Sequence, residues 1–303
     1  MAATSIIIDC DAGMDDAVAI ALAAAAPALT LEAVTTVAGN CSIAMTTGNA
    51  LATVAALGLD VPVYRGDAGP PDAAQRYGNV LWGGNGSLGL APAGRGSAGS
   101  AVDFLTARLD AAAPGSVTIC PIGPLSNLAV LFDHRPDLVD RIARMIVMGG
   151  AFNGGNVTDH AEFNIWFDPP AAERVFEAPC PAVIVPYDLT QHIVVDAAKI
   201  AQLAQVPTPA ARLAAKLLPL AGSDSHASSI HDAATIGWLL WPELFDSETG
   251  TVVAVASAGD EYGRTLFRPD PDGRHRVLTD VDRDAFVDRM IETLASRTGD
   301  FES

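Results

Sequence analysis

The residues with the clearest chemical potential are four carboxylates within eight positions near the start of the chain. Asp9 and Asp11 follow the apolar run Ile6-Ile7-Ile8, and Asp15 and Asp16 come shortly afterwards. Carboxylates this close together repel one another unless a cation, protons or water offset their charge. A hard metal ion, which prefers oxygen ligands, is the simplest solution. The cluster therefore predicts a metal site.

The residues around the cluster predict the elements that position it. The run Ile6 to Ile8 is typical of a buried strand, Gly13 of a tight turn, and the apolar residues from Ala17 to Leu22 of a helix. The carboxylates would then lie at the carboxyl end of a strand, where open α/β sheets bind ligands. In the alternative, the last two aspartates only cap the helix, which leaves Asp9 and Asp11 unexplained.

The rest of the chain alternates between strand-like and helix-like segments. This alternation predicts an α/β fold with a mostly parallel sheet covered by helices, and we expect one domain over residues 1–303. The expected strands are Leu31 to Val37, Val61 to Tyr64, Val117 to Cys120, Met145 to Met148 and Ala182 to Val185, and two expected helices are Ala44 to Leu57 and Ala101 to Ala112.

Two stretches, 65–99 and 221–231, depart from this pattern. The first is rich in Gly and Pro, and the second is small and polar. Loops of this length often close over active sites. A surface excursion would have the same composition, so this alternative stays open.

The excess of acidic over basic residues limits which kinds of binding partner we expect. The chain has 18 basic and 36 acidic residues, and its only lysines are Lys199 and Lys216. Nucleic acid and anionic membranes are therefore excluded as expected partners, because both require clustered basic side chains. The scarcity of lysine also weighs against phosphoryl transfer and Schiff-base chemistry.

The cysteines and the start of the chain predict the cellular location. The four cysteines, at positions 10, 41, 120 and 180, are dispersed and show no paired spacing, which is typical of reduced core residues. The first residues contain neither a basic segment nor a secretory apolar region. We expect a cytoplasmic protein.

Two later segments add candidates for binding and proton transfer. If the segment from Glu162 to Trp166 is extended, Glu162 and Asn164 point to the same side, and such a pair suits a polyhydroxyl ligand. A solvated strand face would give the same alternation. His231 and Asp232 precede a second predicted helix, and they offer a proton-transfer group beside another carboxylate. A structural histidine is the alternative for His231.

Seven motifs follow one another along the chain. They are Asp9-Cys10-Asp11-Ala12-Gly13-Met14-Asp15-Asp16, Val37-Ala38-Gly39-Asn40, Gly123-Pro124-Leu125-Ser126-Asn127, Met148-Gly149-Gly150, Asn156 to Asn164, Pro186-Tyr187-Asp188-Leu189-Thr190 and His231-Asp232. In this order they resemble the inosine/uridine-preferring nucleoside hydrolases, from about residue 5 to residue 290. The resemblance implies a single domain with a mixed, mainly parallel central sheet.

The resemblance implies an enzyme that uses calcium to cleave the N-glycosidic bond of ribonucleosides, releasing free base and ribose. Asp11 would be the general base for the attacking water, and His231 would help to protonate the departing base. Homodimers or homotetramers are the assemblies that the family implies. The implied calcium ligands are Asp11, Asp16, Asp232 and the backbone carbonyl of Ile122; the implied ribose-binding residues are Asp15, Asn40, Asn156, Glu162, Asn164 and Met148; and Asp9 would support the cluster.

The chain departs from the family pattern at three positions. Trp82 stands where many members have histidine, and it resembles the aromatic residue that stacks on the base in the purine-preferring subgroup. His231 is a feature of the other subgroups, so the base preference stays open, and packing within the loop is the alternative role for Trp82. Ile122 replaces a threonine and Ala12 a frequent proline; neither change removes a ligand.

Two rival functions belong to other classes. One is a calcium- or ribose-binding protein without activity on the same scaffold. The other is a haloacid-dehalogenase-type phosphatase, which also begins with a strand followed by Asp-x-Asp. That family requires Thr or Val two positions after the second Asp, where this chain has Gly13.

The acidic composition generates a prediction about the substrate. We expect kcat/KM for a nucleoside to exceed that for its 5′-monophosphate by about tenfold or more, because acidic surroundings repel a phosphate. Base release from inosine and inosine 5′-monophosphate, and from uridine and uridine 5′-monophosphate, measures the difference. Comparable efficiency on the two members of a pair would refute it.

Overall fold

A computed structural model describes residues 3–78, 86–91, 93–94, 96–220, 227–255 and 259–296. The strands are β1 (Thr4–Cys10), β2 (Leu29–Thr36), β3 (Val63–Arg65), β4 (Val117–Pro121), β5 (Ile142–Met148), β6 (Ala182–Val185), β7 (Val194–Asp196), β8 (Ala227–Ser229), β9 (Phe245–Val255), β10 (Arg264–Pro269) and β11 (His275–Val281). The helices are α1 (Met14–Ala25), α2 (Ile43–Ala56), α3 (Ala101–Asp110), α4 (Ser126–His134), α5 (Phe163–Phe167), α6 (Pro169–Glu177), α7 (Tyr187–Thr190), α8 (Ala197–Ala204), α9 (Pro209–Leu217), α10 (Ala233–Leu240) and α11 (Arg283–Ala295).

Nine of these strands form one central sheet in the order β10-β9-β11-β6-β5-β4-β1-β2-β3. The strands from β3 across to β11 run parallel, whereas β9 pairs antiparallel with both β11 and β10. The prediction of a mixed, mainly parallel α/β sheet is therefore confirmed. Strands β7 and β8 form a separate antiparallel pair.

Strand β1 is buried on both faces, which explains its run of isoleucines. Ile6 and Ile8 pack into one hydrophobic layer, and Ile7 packs into the layer on the opposite face of the sheet. A strand covered by helices on both sides needs apolar residues at every position rather than at alternate ones. The first layer also contains the buried residues of α1, whose small alanines let it pack closely against α9 and α10.

The order of the strands fixes where a site can form. Strand β1 lies between β2 and β4, so the chain moves to one side of β1 through β2 and β3, and to the other side through β4, β5 and β6. Such a change of direction opens a crevice at the carboxyl ends of the two strands where it occurs, β1 and β4. The acidic cluster follows β1 and therefore lies at this crevice.

The segment from Glu162 to Trp166 is not extended. Residues Phe163–Phe167 form helix α5, and Glu162 is its N-cap residue, accepting hydrogen bonds from the backbone N–H groups of Asn164 and Ile165. The expectation of an extended segment is therefore wrong, because the acid binds the free amides of a helix start instead of lying on a strand face.

None of the described helices is long and apolar enough to cross a membrane. The four cysteines are buried and unpaired, as the dispersed spacing predicts. The single-domain prediction and the assignment of 65–99 and 221–231 as active-site loops stay predictions.

Burial of His275 in β11 generates a prediction about stability. Its Nδ1 atom accepts the backbone N–H of Val252 at 2.8 Å, and burial lowers its pKa to about 4. The unfolded chain therefore binds a proton at His275 at a higher pH than the folded chain, so stability falls as the pH drops below about 6.5. Between pH 7 and pH 5 this loss amounts to roughly 2 kcal/mol.

The matched variant is His275→Asn, whose amide oxygen replaces the acceptor without titrating in this range. Denaturant unfolding at pH 7 and at pH 5 compares the two proteins. We expect the free energy of unfolding of the wild type to fall by roughly 2 kcal/mol more than that of the variant. Equal losses would show that His275 is protonated in the folded protein.

Candidate active site

Asp9 is a buried anchor at the end of β1. Its Oδ1 atom accepts hydrogen bonds from the Thr35 hydroxyl at 2.5 Å and from Asn127 Nδ2 at 2.7 Å. Burial raises the pKa of Asp9 to about 6, and the bonds from Thr35 and Asn127 act in the opposite direction. Asp9 therefore joins the end of β1 to β2 and to helix α4.

Asn127 connects Asp9 to the loop after β3. Besides Asp9, its Nδ2 group donates to the backbone carbonyl of Thr36, while its Oδ1 atom accepts the backbone N–H of Asp67. The sequence motif contained Asn127 without assigning it a role. A polar residue at the first turn of a helix after an apolar strand was the available signal, but such residues are also common in ordinary turns.

Asp11 is held in place by tightly packed backbone. Its Oδ2 atom accepts the backbone N–H of Asn40 at 2.6 Å. A Cβ atom on Gly39 would lie 2.1 Å from this oxygen, and one on Gly123 would lie 2.9 Å from Oδ1. Burial raises the pKa of Asp11 to about 7, and the bond from Asn40 opposes this effect. The two glycines therefore let the β2 and β4 loops close around the carboxylate.

Three further carboxylates meet at the crevice. Asp15, Asp16 and Asp232 offer oxygen atoms that lie within 4.8 Å of one another. Asp16 Oδ2 accepts the backbone N–H of Gly13 at 2.7 Å, whereas its buried Oδ1 has no hydrogen-bond partner among the described residues. Burial and the neighbouring aspartates raise the pKa values of Asp16 and Asp232 well above the ordinary value. Buried carboxylates with an unpartnered oxygen fit a hard cation.

The structure groups these residues somewhat differently from the implied ligand set. Asp15, expected to bind ribose, belongs to the close group of three, whereas Asp11 lies beside it and contributes to the raised pKa values of Asp16 and Asp232. The carbonyl of Ile122 accepts a hydrogen bond from Asn164 Nδ2 at 3.1 Å. A carbonyl oxygen has two lone pairs, so this bond leaves one for a cation.

Three of the residues expected to bind ribose, Met148, Glu162 and Asn164, lie together near the end of β5. Asn164 Nδ2 donates to the carbonyl and the sulfur of Met148, at 3.1 and 3.3 Å, as well as to Ile122. Glu162 accepts the backbone N–H groups of Gly150, Asn164 and Ile165, and burial raises its pKa to about 7. The structure therefore brings Glu162, Asn164 and Met148 together.

The two remaining asparagines differ in position. Asn40 donates from its backbone to Asp11 and from its side chain to Asp16, the latter at 3.4 Å, so it lies within the cluster. Asn156 is exposed, and its Oδ1 atom accepts the backbone N–H of Phe163 at 2.9 Å. It therefore lies at the start of helix α5.

His231 precedes Asp232 and contacts helix α7. Its Nδ1 atom lies 2.8 Å from the Thr190 hydroxyl, and its ring lies 5.8 Å from that of Tyr187. Burial lowers the pKa of His231, while the charge of Asp15 raises it. Thr190 and Tyr187 had no predicted role.

Trp82 lies outside the described residues, as do residues 221–226, so the stacking of Trp82 on the base stays a prediction.

Comparison with known proteins identifies the family. The model of the inosine-uridine preferring nucleoside hydrolases matches residues 6–288. The chain belongs to this family. It is 36% identical over 313 residues to the pyrimidine-specific ribonucleoside hydrolase RihA of Salmonella typhimurium, covering 96% of this chain and 98% of RihA.

Solved nucleoside hydrolases share the fold of this family member. The plant nucleoside hydrolase PpNRh1 matches with a TM-score of 0.85 at 28% identity, over 98% of this chain and 100% of the other. A purine-preferring ribonucleoside hydrolase from Gardnerella vaginalis matches with a TM-score of 0.85 at 25% identity, over 96% and 98% of the two chains. The predicted family and enzyme class are confirmed, and the phosphatase alternative is wrong. This chain is a nucleoside hydrolase, and its described residues include an acidic group able to hold a metal ion.

The close packing around Asp11 generates a prediction for this nucleoside hydrolase. In Gly39→Ala the new methyl group would overlap the Asp11 carboxylate, which must move and lose its bond from Asn40. We expect the rate of base release to fall about 100-fold, since small displacements of reacting groups have effects of this size. Steady-state kinetics on inosine and uridine, with a thermal unfolding curve to verify the fold, measure the effect.

Gly48→Ala is the matched control. Gly48 lies on the exposed side of helix α2, and a Cβ atom there would meet nothing within 4 Å. Its replacement by alanine should preserve activity and stabilise the helix by up to about 1 kcal/mol. Full activity in Gly39→Ala would show that the position of Asp11 is not critical.

Proposed function

We propose that this chain is a calcium-dependent ribonucleoside hydrolase in which Asp11 activates the attacking water and His231 protonates the departing base. The observation that carries the proposal is the set of buried carboxylates, including an unpartnered Asp16 oxygen, at the crevice beside β1. Membership of the nucleoside hydrolase family supplies the substrate class.

The residues that would hold calcium are the carboxylates of Asp11, Asp16 and Asp232 and the carbonyl of Ile122. The carboxylate of Asp15 is close enough to contribute a further oxygen. Calcium accepts about six to eight oxygen ligands, so water and the ribose 2′ and 3′ hydroxyls would complete the set. When bound, the ion would orient the water and the sugar diol.

Asp11 is the proposed general base because its orientation is fixed. The Asn40 amide holds Oδ2, and the close approach of Gly39 and Gly123 restricts movement of the carboxylate. Asp11 would take a proton from water as the water oxygen bonds to C1′ of ribose. The C1′–N bond breaks, and its electron pair leaves with the base. The surrounding carboxylates would stabilise the oxocarbenium character of C1′.

The ribose would lie between the acidic cluster and helix α5. Oε2 of Glu162 accepts the backbone N–H groups of Gly150 and Ile165, whereas Oε1 accepts that of Asn164 and keeps a further lone pair for a ribose hydroxyl. Asn164 uses its Nδ2 group on Ile122 and Met148, so it would bind ribose through Oδ1. Met148 would line the sugar pocket. The proposed ribose-binding set is completed by Asp15, Asn40 and Asn156.

His231 would transfer its proton to the base as the glycosidic bond breaks. Its place beside Asp232 and close to the charge of Asp15 puts His231 next to the proposed sugar site.

Trp82 is proposed to stack on the base. RihA is named pyrimidine-specific and the Gardnerella protein purine-preferring, so base release is measured separately for inosine, guanosine, adenosine, uridine and cytidine.

A homodimer or homotetramer is the proposed assembly, which light scattering at several concentrations would measure.

Removal of calcium tests the proposal directly. We expect a chelator to abolish base release from all five nucleosides, and added Ca²⁺ to restore it better than Mg²⁺, because magnesium demands a tighter octahedral site. Calorimetric titration of chelator-treated protein with Ca²⁺ gives binding separately from activity. Full activity in excess chelator would contradict calcium dependence.

The role of Asp11 is tested by Asp11→Asn, which keeps the shape of the side chain and removes the base. The rate of base release should fall about 100- to 10,000-fold, the range typical of general acid–base catalysis. The control is Asp60→Asn, because Asp60 is exposed and lies before β3, away from the cluster. If Asp11→Asn retained wild-type kcat, another group would be the base.

A further inference from the structure

A buried contact between helix α7 and His231 has no part in the proposed chemistry described so far. Thr190 is fully buried at the end of α7, and its hydroxyl oxygen lies 2.8 Å from His231 Nδ1. The two residues are 41 positions apart in sequence, so the contact depends on how the chain folds. The contact occupies one of the two nitrogens of the imidazole ring.

The Thr190 hydroxyl is not needed to cap its own helix. The backbone N–H of Thr190 donates to the carbonyl of Pro186, and its own carbonyl accepts the N–H of Ile193. A threonine hydroxyl within a helix often bonds the carbonyl one turn earlier. Here the hydrogen bond recorded for this hydroxyl is the one to His231. The Thr190 hydroxyl therefore bonds the histidine and not a carbonyl of its own helix.

The same short helix supports the imidazole ring from a second direction. The rings of Tyr187 and His231 lie 5.8 Å apart with an interplanar angle of 31°. A hydrogen bond at Nδ1 together with an aromatic ring beside the imidazole restricts its rotation about both side-chain torsions. The ring is therefore held by α7 in one orientation.

Helix α7 is in turn attached to the ribose side of the crevice. The backbone N–H of Tyr187 donates to the carbonyl of Gly150 at 2.9 Å, and the N–H of Gly150 donates to Glu162 at 3.0 Å. Asp188 accepts the backbone N–H groups of Phe152 and Asn153, which fixes the other side of the helix. Gly150 therefore links the proposed sugar ligand Glu162 to the helix that holds His231.

We propose that Thr190 is a positioning residue, which holds Nδ1 of His231 so that Nε2 is the nitrogen presented to the departing base. The proposal rests on the proposed function, in which His231 protonates that base. The proton would move from Nε2 of the doubly protonated imidazolium to the base as the base takes the electron pair of the C1′–N bond, which leaves a neutral imidazole. Nδ1 stays bonded to Thr190 throughout, and Nε2 is reprotonated from water.

The test compares two leaving groups. A nucleobase needs a proton as it leaves, whereas p-nitrophenolate from p-nitrophenyl β-D-ribofuranoside leaves as a stable anion. Thr190→Val removes the hydroxyl and keeps the shape of the side chain. For nucleosides we expect kcat to fall about 10- to 100-fold with KM changed less than about twofold, the scale expected for a misplaced catalytic group. For p-nitrophenyl riboside we expect kcat to fall less than about threefold.

Thr190→Ser is the rescue variant, because it restores the hydroxyl. It should recover nucleoside kcat to within about threefold of the wild type if the hydrogen bond to His231 is the cause. Thermal unfolding of both variants verifies that they fold. A double-mutant cycle with His231→Ala isolates the pair, and Thr190→Val should add less than about a twofold effect in that background.

Each outcome has a distinct meaning. Equal losses on nucleosides and on p-nitrophenyl riboside, or a full additional loss in the His231→Ala background, would assign Thr190 a general structural role and overturn the inference. Wild-type nucleoside kcat in Thr190→Val would overturn it as well. If wild-type protein with calcium released no base from nucleosides, the proposed function itself would fail, whatever the variants do.

Discussion

The rest of the structure depends on keeping several like charges buried in one crevice. Asp9, Asp11, Asp16 and Asp232 are all at most 3% exposed, and none of the ion pairs between described residues involves them. Backbone amides and asparagine side chains bind some of their oxygens, which offsets part of the cost of burial. The remaining repulsion is what a bound cation would neutralise, in keeping with the raised pKa values of Asp16 and Asp232.

The fold meets this constraint through the position of β1. As a strand at the change of direction, β1 delivers Asp9 and Asp11 to a crevice between loops that come from β2 and β4. Close approach of those loops is allowed only because glycine stands at positions 39 and 123, where any side chain would collide with Asp11. Asp9 Oδ1 accepts hydrogen bonds from both Thr35 and Asn127, and so it joins the ends of β1 and β2 to helix α4.

The proposed ribose site at Glu162 and the proposed proton donor His231 are connected by hydrogen bonds of the backbone rather than by ion pairs. Glu162 caps helix α5 and at the same time binds the N–H of Gly150, and the carbonyl of Gly150 binds the start of helix α7. Helix α7 holds His231 through Thr190 and Tyr187. A sugar bound at Glu162 would therefore sit at a fixed distance from the proposed proton donor, which is how enzymes align reacting groups before the reaction starts.

The sequence by itself determined the elements and the chemical type of the site. The apolar runs predict β2, β4, β5 and β6 to within a few residues, and the spacing of the aspartates indicates a cation, because both signals are local in the chain. Only the tertiary structure decided that Glu162 caps a helix, that Asp15 joins Asp16 and Asp232, and that Thr190 reaches His231. The contacts of Asp232 and of Thr190 join residues that are far apart in the chain and meet only after the protein has folded, whereas the Glu162 cap is local but cannot be told from a strand residue by its pattern.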